Sequence, residues 1–202
     1  MNFLIDGPAK STRKILLAHG AGAPMDSDFM NDIAGELAAF DFQVVRFEFP
    51  YMSQRRNGGT RRSPDRMPVL RSSFLQAIDA VGGPEDLIIG GKSMGGRVAS
   101  MITDSLSVRG LLCLGYPFHP PGRPGTLRVE HLKSLKTSTL ILQGERDPFG
   151  GAEEVQGYDL SAHISVEYLP DGDHSFKPRA KSGILLEANI QLAASIVAGF
   201  FS

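Results

Sequence analysis

Six short apolar runs, each closed by glycine, proline or charged residues, most constrain what this chain can fold into. They are "KILLAHG" (14–20), "QVVRFEFP" (43–50), "DLIIGGKS" (86–93), "VRGLLCLGYPF" (108–118), "STLILQGERD" (138–147) and "ISVEYLPDGDH" (164–174). Between them lie segments of helical period. Phe29, Ile33, Leu37 and Phe40 recur at spacings of three and four, as do Leu70, Phe74, Ile78 and Val81, and Leu185, Ala188, Leu192, Ile196 and Phe200 close the chain. Strand-like runs alternating with helical stripes are the pattern of βα units, so the chain is expected to form a mostly parallel sheet of six to seven strands flanked by helices. At 202 residues it is long enough for one sizeable core, and a single α/β domain over 1–202 follows. Right-handed crossovers then carry every strand in one direction. The loops leaving the strand ends gather on one edge, where open α/β sheets bind ligands.

Charge and composition narrow the function classes. A formal net charge of −1 supplies no global field for nucleic acid or an acidic membrane surface. No basic leader precedes an apolar run in "MNFLIDGPAKSTRK", and no stretch reaches the roughly 18 apolar residues that span a bilayer, so a cytoplasmic protein is expected. The single cysteine, Cys113, lies inside "GLLCLGY" and reads as a buried, inert thiol. No metal-ligand spacing and no dinucleotide fingerprint occurs, and "GGKSMGG" lacks the spacing of a nucleotide-binding loop, so neither metal nor cofactor is expected.

Within "IIGGKSMGGRVAS", glycine stands two residues before and two after Ser93. Side chains at Gly91 or Gly95 would collide with neighbouring backbone in a tight strand-to-helix turn, and such a turn lifts the serine clear of the sheet edge. The amide of Met94 then lies at a helix N-terminus, placed to donate to an oxyanion. A serine hydroxyl needs a base, and the base an orienting carboxylate; in this fold class the three follow in the chain order Ser, Asp or Glu, His. Of the five histidines only His174 follows a strand beyond a candidate acid. His19 and His119 leave earlier strands, His131 falls in a connection before the acid, and His163 precedes the last strand. Asp147 in "GERDPFG" is the best acid, with Glu145 and Asp173 as rivals. The loop "LLAHGAGAP" offers the amide of Ala21 as a second oxyanion donor, with Gly20 and Gly22 expected to let the backbone approach the serine and His19 expected to be structural.

The motifs "HGAGAPMDS", "FEFPYM", "RRNGGTRRSPDR", "GGKSMGGRVAS", "GYPFHPPGRP", "LQGERDPFG" and "DGDHSF" together resemble a small α/β-hydrolase, near the dienelactone hydrolases and most closely the KANL/Tex-type group. The resemblance covers nearly the whole chain. It implies a nucleophile at Ser93, an acid at Asp147 and a base at His174, acting on an ester, thioester or similar activated acyl substrate. About fourteen residues precede the first clear strand, so the two front strands of a full eight-stranded member should be absent or reduced. Roughly twenty residues separate Phe118 from Ser138, too few for a cap domain, which leaves an open pocket. The group also includes a hydrolase-like domain in a chromatin complex subunit, so a non-catalytic interaction module is the alternative. The complete Ser, Asp and His set weighs against that alternative.

Arg55, Arg56, Arg61, Arg62 and Arg66 crowd the loop after the second run, with Asp65 the one acid among them. Either the loop is solvated and internally paired, or Arg55, Arg56, Arg61 and Arg62 form a rim that binds a carboxylate or phosphate on the substrate. His119 either lines the pocket or hydrogen-bonds the proline-bent backbone beside it.

Overall fold

The computed structural model describes residues 1–60 and 62–202. The chain begins with a short strand, β1 (Phe3–Asp6), and the six apolar runs follow as β2 (Lys14–Ala18), β3 (Gln43–Phe47), β4 (Leu87–Lys92), β5 (Gly110–Leu114), β6 (Thr139–Gly144) and β7 (Ile164–Leu169). They form one sheet in the order β1-β3-β2-β4-β5-β6-β7. β2 through β7 run parallel, and β1 pairs antiparallel with β3, Leu4 opposite Arg46 and Ile5 opposite Val45. One front strand is therefore present, and it reverses the common direction. As a four-residue edge strand with one neighbour it needs little apolar surface, so it leaves little pattern in the sequence. The buried Arg46 guanidinium anchors it by an ion pair to Asp6 at 2.8 Å.

Period-two alternation along the central strands sends side chains to two separate cores. Ile15, Leu17, Ile88, Leu112 and Leu140 pack under α1 (Asp28–Ala39) and α6 (Leu186–Phe200). Leu16, Ile89, Leu111 and Ile141 pack on the other face, under α3 (Met67–Ala80) and α4 (Met94–Ser100). Burial of each such side chain is worth about 1.5–3 kcal/mol relative to exposure. Two further short helices, α2 (Pro50–Arg56) and α5 (Ala152–Val155), lie in loops after β3 and β6.

The last helix is turned differently from its expected stripe. Leu185, Leu192 and Phe200 are 67%, 39% and 36% exposed, whereas Ile190, Ala193, Ala194 and Val197 are buried. α6 is apolar around much of its circumference, so two stripes share the same period; the one carrying Ala193 and Ala194 faces inward. The connection from β5 to β6 holds only a 3-10 turn, Glu130–Ser134, and no cap. Among the described residues no helix is long and apolar enough to cross a membrane.

Candidate active site

The turn from β4 into α4 carries Ser93 in a conformation that L-residues rarely adopt, φ 50° and ψ −111°. Such backbone costs on the order of 1–3 kcal/mol and persists only where the surroundings dictate it. Two bonds hold it here: Ser93 N–H donates to Leu114 O (3.0 Å) and Arg97 N–H donates to Ser93 O (3.0 Å). The helix can start this abruptly because it lies almost on β2. A Cβ at Gly91 would stand 2.2 Å from Ala18 O, and one at Gly95 2.4 Å from the same atom.

His174 reaches this serine from the loop after β7. That loop is seated against the end of β6, where a Cβ on Gly144 would meet Asp173 O at 2.2 Å, and Arg146 N–H donates to Gly172 O at 2.9 Å. From α6, the buried Asn189 amide donates to Pro170 O (3.0 Å) and Phe176 O (2.8 Å), clamping both ends of the loop. The result is a continuous chain of hydrogen bonds. His174 Nε2 lies 2.9 Å from Ser93 Oγ, and His174 Nδ1 lies 2.7 Å from Asp147 Oδ2. A carboxylate can only accept, so Nδ1 carries the proton and Nε2 is left to accept from the serine hydroxyl. Burial holds the imidazole below its ordinary value of 6.5, with Lys92 adding to that direction and Asp147 opposing it.

Sequence reasoning missed what fixes Asp147 and His174. Gln143, fully buried on β6, donates from Nε2 to Asp147 Oδ2 (2.9 Å), Gly150 O (2.9 Å) and Tyr116 O (3.2 Å), and accepts Tyr116 N–H at Oε1 (2.8 Å). Phe149 N–H donates to Asp147 Oδ1 (2.8 Å), and the Phe149 ring lies on the His174 imidazole with centroids 4.1 Å apart. An apolar residue would suit the run "TLILQG", so a glutamine there was the one available signal.

Ser93 and His174 open onto a cleft of about 290 Å³ bounded by residues 20–23, Phe29, Met30 and Phe149. The main-chain N–H groups of Ala21 and Met94 donate to no group among the described residues. Gly22 stands in open space, and a Cβ at Gly20 would make only ordinary contact, 3.7 Å from Ser93 Cβ. Close approach to the serine therefore does not require either glycine. His19 holds this turn from beneath. It accepts Phe49 N–H at Nε2 (3.1 Å), which leaves Nδ1 to donate to Gly20 O (2.6 Å).

Other side chains singled out from the sequence lie elsewhere. Glu145 accepts Asp171 N–H at 2.6 Å, and Asp173 accepts Ser175 N–H and Lys177 N–H at 2.7 and 3.0 Å. His119 does not line the cleft: Nδ1 lies 2.8 Å from Pro120 O and Nε2 3.2 Å from Glu154 Oε2. Arg56 is bound to Asp26 and Glu48 at 2.6 and 2.7 Å, and faces a separate depression with Ser53 and Ser73. Arg62 donates to Gln54 Oε1 at 3.2 Å, and neither it nor Arg55 lines the cleft at Ser93. The loop opens with helix α2, and Asp65 accepts Tyr51 N–H at 3.0 Å. Arg61 lies outside the described residues. Among the described residues no group of three or more His, Cys, Asp or Glu side chains is arranged to hold a metal ion.

A family model described as an alpha/beta hydrolase domain matches residues 11–202. Among solved structures, the chain is similar to an alpha-beta serine hydrolase homologue from Coxiella burnetii, at TM-score 0.72 and 16% identity over 99% of this chain and 91% of that one. A serine hydrolase without a lid from Xanthomonas campestris superposes at TM-score 0.69 and 18% identity, covering 96% of this chain and 88% of that one. A dienelactone hydrolase from Anabaena variabilis superposes at TM-score 0.70 and 20% identity, covering 98% and 89%.

Proposed function

The chain belongs to the alpha/beta hydrolase domain family, and on that premise we propose that it is a serine hydrolase of small activated acyl compounds, esters or thioesters, working through an acyl-enzyme. One observation carries this reading: the unbroken relay of 2.9 and 2.7 Å from Ser93 Oγ through His174 to Asp147. Ser93 Oγ attacks the acyl carbon as His174 Nε2 takes its proton, and the carbonyl electrons move onto oxygen. The N–H groups of Ala21 and Met94 receive that oxyanion; removing one such donor typically costs ~10²–10³ in rate. His174 then gives its proton to the leaving group, and water repeats the sequence to release the acid. The apolar walls of Phe29, Met30 and Phe149 favour a short acyl chain. The motifs "RRNGGTRRSPDR" and "GGKSMGGRVAS" support a place in the KANL/Tex-type group.

A fluorophosphonate probe should add one label to the wild-type chain, at Ser93, and none to Ser93→Ala. On a panel of p-nitrophenyl esters that substitution should lower turnover by on the order of 10⁶ if the three residues act as a unit. Undiminished turnover in Ser93→Ala would exclude the scheme.

A further inference from the structure

The proposed chemistry makes no use of Lys92, the residue immediately before the candidate nucleophile. Its surroundings are unusual for a lysine. It is 8% exposed, and its ammonium sits 5.2 Å from the centre of the Phe29 ring and 6.0 Å from that of Phe176. There it donates to the main-chain oxygen of His174. Among the described residues no carboxylate forms an ion pair with it. An enclosed charge without a contacting counterion costs several kcal/mol that an apolar side chain would avoid. The fold nonetheless leaves room for it. Gly115, at φ +67°, ends β5 beside the ammonium, and a Cβ there would lie 2.7 Å from Lys92 Nζ and 2.9 Å from His174 O.

Taking the hydrolase reading above as its basis, we propose that Lys92 is a positioning residue: its ammonium pins the backbone of the base to the strand carrying the nucleophile, and its charge keeps the imidazole neutral between turnovers. Lys92 faces Asp147 from the loop after β6 and Asp173 and His174 from the loop after β7. The two carboxylates draw a proton onto His174, and Lys92 opposes them. Burial lowers the lysine to about 8, which leaves it mostly charged at neutral pH. The same charge opposes the imidazolium formed during turnover, an opposition that Asp147, in direct contact at 2.7 Å, outweighs.

Two substitutions separate tether from charge. Lys92→Met removes both, and Lys92→Gln discards the charge while keeping an N–H donor. The measurement is the NMR titration of the His174 ring, assigned by the signal lost in His174→Asn, alongside the pH profile of kcat/KM on a p-nitrophenyl ester. In both variants the His174 midpoint should rise, and the acid limb of kcat/KM should move with it. An unmoved midpoint in either folded variant would overturn the proposal. If only one variant folds, it decides the matter; if neither folds, Lys92 is simply a part of the core and the proposal falls. Labelling of wild-type Ser93 by fluorophosphonate is scored separately. A shifted midpoint without labelling defeats the hydrolase reading, whereas labelling without a shift defeats the role of Lys92.

Discussion

A carboxylate orients an imidazole only if it is itself held, and here Gln143 and the Phe149 amide hold it. Gln143 is committed on all sides, with one carbonyl oxygen serving Tyr116 N–H and one amide group shared among Asp147, Gly150 and Tyr116. Replacing it with leucine keeps the volume and strips these partners. Each buried polar group left alone costs about 1–3 kcal/mol, so Gln143→Leu should lower the midpoint of urea unfolding. Freed from its donor, Asp147 can swing, and misplacement of about 1 Å at such a site costs on the order of 10²-fold. Steady-state kinetics on a p-nitrophenyl ester should therefore show kcat falling with KM little changed. A rise confined to KM would mean that Gln143 shapes the cleft instead of the relay.

At the level of elements, the serine turn depends on how closely a helix can lie on a strand. α4 crosses β2 at a distance set by the absence of a side chain at Gly95, whose Cβ would stand 2.4 Å from Ala18 O and 2.8 Å from His19 O. Both obstacles are main chain, one at the end of a central strand and one just beyond it, and cannot step aside. Gly95→Ala should cost about 1–3 kcal/mol or more by chemical denaturation and should also lower the rate of Ser93 labelling, because the helix must lift and carry the serine with it. Gly22→Ala is the control, since nothing lies within 4 Å of a Cβ there; its stability should stay within about 0.5 kcal/mol of wild type. Equal effects of the two substitutions would refute this account of the turn.

Across the whole molecule, histidines buried in the neutral state link folding to pH. Burial lowers His19 and His174 below 6.5, and His131 shifts the same way for the same first cause. For each, the unfolded chain binds the proton more readily. The stability they contribute is thus complete above the ordinary imidazole value and is lost as pH falls through the lower folded values. Thermal melts should show stability declining as pH falls below about 6.5. If His174 is the base, as proposed, kcat/KM should lose activity only at a pH below the ordinary imidazole range, because the imidazole has to be neutral to accept a proton. An acid limb above 6.5 would contradict the burial of that ring.

Much of this molecule is dictated locally and is therefore written in the sequence. Six apolar runs forced six strands, because short stretches that cannot face water must stack with one another. The glycines around Ser93 marked the turn, because only residues without a Cβ can occupy it. Serine, acid and histidine could be picked out because each stands just after a strand whose end lies on one edge of the sheet. Tertiary structure decided what depends on distance between segments remote in the chain. It chose which of two equivalent stripes of α6 faces inward, since a period cannot distinguish two apolar sides of one helix. It turned β1 against its neighbours, since four residues on an edge carry almost no pattern. It led Arg56 to Glu48 and Asp26, away from the cleft, and placed the ammonium of Lys92 beneath His174. Charge and hydrogen-bond partners are properties of assembled space, and no reading along one dimension supplies them.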